Sequence, residues 1–199
     1  MTVDVKALVK KVQDHFGAGV GIETAASIAL AEILEGKRFK SILEIGTMHG
    51  MSAAILAHFA DRVTTIDIAD RPIADEVLCF LEVKDRVRRI VVPNDTEKEK
   101  IVAATYFDMA FLDGDHRRYG LIFDFAITRR CGCVLLHDYP VAAPPLKGAV
   151  EYLHWQYPAD GWMFDGSGFL LDCVVPAGRI ERHAEFAWWF AENGKGDSP

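Results

Sequence analysis

Apolar residues over the first sixteen positions recur at helical spacing: Val5, Leu8, Val9, Val12 and Phe16. They predict an amphipathic helix over Val3–Phe16. The glycine-rich stretch Gly17–Gly21 breaks it. An Ala- and Leu-rich stretch, Glu23–Glu35, predicts a second helix stopped at Gly36. From Lys40 the pattern changes, and short apolar runs alternate with helical ones. Ser41–Ile45, Arg62–Ile66, Val87–Val92, Asp108–Leu112 and Cys133–Leu136 predict five strands. Helices are predicted over Ser52–Phe59, Ile73–Leu81, Glu97–Thr105 and Arg117–Thr128. This alternation implies an α/β fold with parallel strands and right-handed crossovers. After Pro140 the rhythm is lost. Val141–Leu146 is Pro-rich, and Lys147–Trp155 reads as a last helix. Trp162–Phe164 and Phe169–Val175 read as two short strands about Asp165-Gly166-Ser167-Gly168, one of them antiparallel to the rest. Phe186, Trp188, Trp189 and Phe190 are expected to cover an apolar surface or a partner, and Gly194–Pro199 to fray.

Composition narrows the class. A chain of 199 residues, half of them hydrophobic, suits one domain with one sizeable core, spanning 1–193 with a helical preamble over 3–36. A net charge of −7 argues against nucleic acid as a partner. The densest charge cluster, Asp95–Lys100, mixes both signs and reads as a solvated helix start. The four cysteines form no CxxC pair, so neither a disulfide framework nor a zinc site is expected; Cys131 and Cys133 read as small buried residues. The charged, amphipathic N-terminus is not a signal peptide, and no apolar run approaches the ~20 residues of a spanning helix. The expectation is a soluble cytoplasmic protein without a membrane partner. The helical preamble and aromatic tail suit a homodimer.

The chemistry concentrates first in Ser41–Ser52, SILEIGTMHGMS. A buried strand runs into a tight turn and then a helix start, where open α/β sheets bind ligands. A dinucleotide fingerprint, GxGxxG, needs bare glycines at the pyrophosphate. Here the middle position is Met48, and Glu44 sits two residues before Gly46. A carboxylate there repels a diphosphate and attracts an ammonium. S-adenosyl-L-methionine carries an ammonium and a sulfonium but no phosphate, so the charges favour it over NAD. Free backbone N–H groups between Gly46 and Gly50, with Thr47 and Ser52 beside them, are expected to receive its carboxylate. Asp67 ends the second strand, 17 residues beyond Gly50, where an acid can hold ribose hydroxyls. Glu44 and Asp67 each have a plainer alternative as solvated turn carboxylates. Asp95 is either an adenine contact or the start of a helix.

ILEIGTMHGMSAAILA, VTTIDI, FDMAFLDGDHRRYGLIFDF and GCVLLHDYP together resemble the class I S-adenosylmethionine-dependent methyltransferases. More closely they resemble methyltransferase family 24, related to metal-dependent catechol and macrolide-sugar O-methyltransferases and to cephalosporin-hydroxylase-like proteins. The likeness covers about Gly17–Pro140. It implies a Rossmann-like seven-stranded, mostly parallel sheet of order 3-2-1-4-5-7-6 with an antiparallel C-terminal hairpin strand. It further implies O-methyl transfer to a small-molecule hydroxyl.

In such a fold strands four and five are neighbours, and Asp113 and Asp138 would face each other at their ends. Two carboxylates there without a counter-charge repel, which a divalent cation such as Mg²⁺ resolves; His137 could add a third ligand. A chelated cation would lower the pKa of a substrate hydroxyl and fix its direction. Asp113 is also a candidate cofactor contact. The stretch His137-Asp138-Tyr139 departs from the Asp or Asn often found beside the second ligand in those relatives. Asp115 reads as an N-cap. His116, in the following turn, is either a base or cofactor contact, or a plain helix-start histidine. His49 is a further candidate within the turn, and Trp155, Tyr157, Trp162 and Phe164 are either substrate wall or core. Three alternatives stay open: a metal-independent enzyme using His116 or His137, a cofactor-binding protein that no longer turns over, and an NAD enzyme.

Overall fold

Alternation along one strand decides the layers. In β1 (Phe39–Ile45), Leu43 and Ile45 join one apolar cluster while Ile42, and by parity Glu44, face the other. A computed structural model describes residues 3–20, 24–115, 118–137, 178–183 and 186–191. Helices α1 (Val5–Phe16), α2 (Thr24–Leu34), α3 (Met51–Phe59) and α4 (Pro72–Phe80) pack on the face of Ile42. Helices α5 (Asp95–Ala104) and α6 (Arg118–Thr128) cover the face of Leu43. The strands β2 (Ala60–Asp67), β3 (Val87–Val91), β4 (Met109–Leu112) and β5 (Cys133–Leu136) run parallel with β1 in the order β3-β2-β1-β4-β5. Both faces are covered, as a parallel sheet requires.

Boundaries move where a polar contact decides them. Asp4 caps α1, its carboxylate accepting from the Ala7 amide at 3.0 Å, so the helix begins two residues after the expected Val3. Asn94, not Asp95, caps α5 by accepting from the Glu97 amide at 3.0 Å. The carboxylate of Asp108 accepts from the amides of Lys40 at 2.9 Å and Ser41 at 2.8 Å. That fixes how far β4 slides along β1, and therefore which residues meet at their far ends.

The reading of Asp95–Lys100 as a wholly solvated helix start needs one correction. Lys98 is buried and pairs across to Asp124 of α6 at 2.5 Å and back to Asp95 at 2.9 Å. Burial raises the Asp124 carboxyl to about 6 although Lys98 pulls it down. A buried charge that loses its partner is costly. Lys98→Met is therefore expected to destabilise the fold by about 3 kcal/mol at pH 8, and Lys98→Met/Asp124→Leu to recover most of that loss. Urea unfolding of the two variants checks this. An equal loss in both would contradict the pairing.

Further along, β6 (Gly178–His183) and β7 (Phe186–Ala191) pair antiparallel, and β7 pairs antiparallel with β5, Val134 opposite Trp189. The aromatic stretch expected to cover an apolar surface is thus the backbone of a strand. The helix expected over Lys147–Trp155, the strands expected at 162–164 and 169–175, and the fraying expected at 194–199 lie outside the described residues. No helix among the described residues is long and apolar enough to cross a membrane.

Candidate active site

Ile66, Ile45, Leu112 and Leu136 stand in register across β2, β1, β4 and β5. The next residue on each strand is Asp67, Gly46, Asp113 and His137. Their backbones continue the ladder: Gly46 N–H donates to the Ile66 carbonyl (2.9 Å), Asp113 N–H to Ile45 (2.9 Å), and His137 N–H to Leu112 (3.1 Å). The register thus delivers Asp67, Asp113 and His137 to one carboxyl edge, where open α/β sheets bind ligands.

Between β1 and α3 the chain turns sharply. Gly46 lies at φ 101°, and a methyl group there would overlap the backbone carbonyl of Asp113, so only glycine lets β1 leave the sheet so close to β4. Gly50 lies at φ 81° and packs against Ala74 at the start of α4. Met48 between them takes the left-handed conformation at φ 43°, uncommon for a residue with a side chain, and is half exposed.

Asp67 holds this turn. Its Oδ2 accepts from the amides of Thr47 at 3.0 Å and Met48 at 2.9 Å, and its Oδ1 from Ala69 at 2.9 Å. The Gly50 amide donates to the Thr47 carbonyl at 2.7 Å. The expectation that free turn amides receive a ligand carboxylate is corrected at these positions, because the protein supplies the carboxylate itself. A carboxylate accepts about four hydrogen bonds, so Asp67 keeps some capacity for hydroxyls. The same clamp makes the turn a poor phosphate cradle, since a second anion would meet Asp67. Asp67→Ala, which strands the amides of Thr47 and Met48, is expected to cost about 2 kcal/mol. Denaturant unfolding measures it, and an unchanged midpoint would contradict the clamp.

Glu44 is no solvated turn carboxylate: it is wholly buried. Neither of its oxygens completes a hydrogen bond in the described structure. Burial pushes its carboxyl up to about 8; the nearby hydroxyls of Ser52 and Thr65 lower it, and Asp113 and Asp67 raise it. Ser52, on the first turn of α3, and Thr47 are themselves buried. Thr65 sits opposite Glu44 on β2, and its hydroxyl meets that of Thr47 at 2.6 Å. Thr65 is a site residue missed by sequence reasoning. Its signal was a hydroxyl pair, Thr64-Thr65, between the apolar Val63 and Ile66.

Asp113 and His137 form a pair, Nδ1 to Oδ1 at 2.8 Å, each side chain 12% exposed. With its proton on Nδ1 the imidazole donates to the carboxylate, and Nε2 holds the lone pair. Burial and Arg71 hold His49 below the ordinary imidazole value, which keeps it neutral near pH 7. The Asp95 carboxylate is mostly exposed and engaged by Lys98. Asp115 lies against Gly120 of α6, where a methyl group would overlap its carboxylate. His116 and Asp138 lie outside the described residues, as do Trp155, Tyr157, Trp162 and Phe164. Burial raises the thiols of Cys131 and Cys133 to about 11 and about 12, as for inert structural cysteines. Among the described residues no three potential ligands gather as a metal site.

No protein-family model matches the chain, and no curated protein matches it. Solved structures do match. An O-methyltransferase from Bacillus cereus in complex with SAH is 16% identical, with 96% of this chain and 92% of that chain covered and a TM-score of 0.61. The O-methyltransferase TomG from Streptomyces achromogenes, involved in tomaymycin synthesis and in complex with SAM, is 18% identical over 96% and 91%, TM-score 0.62. The SAH-bound methyltransferase PaMTH1 from Podospora anserina is 17% identical over 94% and 88%, TM-score 0.61. At these identities the likeness shows the fold alone: a parallel α/β sheet of the kind these O-methyltransferase structures share.

Proposed function

We propose that this chain is an S-adenosylmethionine-dependent O-methyltransferase acting on a hydroxyl of a small molecule. One observation carries the reading: the buried carboxyl of Glu44 at the end of β1, whose oxygens complete no hydrogen bond in the described structure and face no cation among the described residues. A buried acid with no cation beside it among the described residues fits a ligand that brings one, and the amino-acid end of S-adenosylmethionine brings an ammonium. Asp67, with Oδ1 still able to accept, would take ribose hydroxyls. Exposed Met48 and Ile68 beside it offer apolar surface to a purine. Gly46, Thr47, Gly50 and Ser52 would shape the seat. Asp95, Asp113 and His116 are the further cofactor candidates. The pairing of β7 with β5 supports one domain over 1–193 with a seven-stranded sheet, order 3-2-1-4-5-7-6, closed by an antiparallel C-terminal pair.

S-adenosylmethionine, when bound, supplies an electrophilic methyl group whose bond to sulfur breaks as the acceptor oxygen bonds to carbon. The protein must remove the hydroxyl proton and hold the oxygen in line. Asp113, Asp138 and His137 would hold a divalent cation, which supplies Lewis acidity to that hydroxyl. A second reading is favoured by the 2.8 Å contact between His137 and Asp113. There the carboxylate orients the ring, and His137 itself takes the proton. His116 is the other candidate base.

Methyl-labelled S-adenosylmethionine with a panel of catechols and sugar diols tests the function. Label in the acceptor supports it. Binding without transfer across the panel favours a non-catalytic binding protein. Excess chelator abolishes transfer under the cation reading and spares it under the histidine reading.

A further inference from the structure

Methyl transfer as drawn above makes no use of the Glu44 proton. Glu44 is enclosed, and neither oxygen has a hydrogen-bond partner in the described structure. Among the described residues, the groups that act on it carry no positive charge. From α3 comes the hydroxyl of Ser52, from β2 the hydroxyl of Thr65 and the carboxylate of Asp67, and from β4 the carboxylate of Asp113 beyond Phe111. An acid so placed stays neutral until a cation arrives to replace its proton.

We infer that a ligand ammonium enters this site in exchange for the Glu44 proton. The O–H bond of the carboxyl breaks, the proton passes to solvent, and the carboxylate left behind faces the ammonium. The charge enclosed at Glu44 is zero before binding and zero after it. The inference rests on the reading that an amino-acid end sits at Glu44. It adds that binding and deprotonation are one event. Burial, which raises the carboxyl to about 8, sets the window: below that pH binding releases a proton and tightens as pH rises, and above it the coupling fades. A ligand α-amino group titrates near 8 and is already charged at pH 6.5, so a proton released there comes from the protein.

The test is calorimetric titration of the full chain with S-adenosylhomocysteine at pH 6.5, with chelator present, in two buffers of contrasting ionisation enthalpy. The expected result is release of about one proton per ligand bound, with affinity rising close to tenfold per pH unit between pH 6 and 7. Glu44→Gln keeps the shape of the neutral acid, and is expected to bind more weakly with no proton released. The nucleoside 5′-methylthioadenosine, which lacks the amino-acid end, is expected to release none from the wild type. Enthalpies that agree between buffers for the wild type would overturn the exchange while leaving the cofactor reading intact. So would equal release from the nucleoside, or undiminished release in Glu44→Gln. Failure of S-adenosylhomocysteine to bind under any condition would remove the cofactor reading and the exchange with it.

Discussion

Glu44→Gln is expected to make the ligand-free protein more stable at pH 8, on the order of 4 kcal/mol, and to change it by about 1 kcal/mol or less at pH 5. The reason is the raised carboxyl. Unfolded, Glu44 ionises near its ordinary value of 4.5; folded, it holds its proton to about 8. The native state therefore binds more protons than the unfolded chain between those values. Stability is fully present below about 4.5 and falls as pH rises towards 8. Glutamine removes the ionisation, and with it the slope. Thermal or urea unfolding from pH 5 to pH 9 measures both proteins. Parallel pH profiles would contradict the burial of an uncompensated acid. The same substitution is expected to weaken the amino-acid end of the cofactor, so stability rises while binding falls. That trade is common at sites built for a ligand.

The second large effect concerns the pair at the ends of β4 and β5. Asp113→Asn and His137→Gln are each expected to lower kcat by roughly 10²- to 10⁴-fold. Asparagine preserves shape but removes the charge that orients and stabilises the ring. Under the oriented-base reading, glutamine removes the base. Because the two act through one 2.8 Å contact, the double variant is expected to lose little more than the worse single one. Both side chains are mostly enclosed, so unfolding curves must accompany the kinetics. Losses that multiply in the double variant would mean that the residues act independently, and the oriented-base reading would fail.

The sequence made the frame of this site legible, and the reasons are local. Strand, glycine turn and helix follow each other from Phe39 to Phe59, and each break is marked by a residue that permits it. Glu44, Gly46 and Gly50 could be singled out because an acid and two glycines are anomalous beside apolar neighbours. The five parallel strands were legible because their apolar runs are short and separated by helical spacing. What stayed hidden depends on register between strands. Asp67 reads as a free ribose acceptor until β2 lies beside β1 and its carboxylate meets the amides of Thr47 and Met48. His137 was a third candidate beside Asp113 and Asp138, and only the pairing of Leu112 with Leu136 shows its ring meeting Asp113; Asp138 lies outside the described residues. Lys98 belongs to a charged run by sequence, and only the packing of α5 on α6 buries it against Asp124.

The central claim is that Glu44 receives the cationic end of a phosphate-free adenosyl ligand at the β1–α3 turn. A crystal structure of the chain soaked with S-adenosylhomocysteine and NAD together tests it most directly. The account predicts S-adenosylhomocysteine at Gly46–Gly50, with its ammonium within about 3 Å of a Glu44 oxygen. NAD in that turn, or an adenosyl ligand whose ammonium leaves Glu44 unpaired, would contradict it.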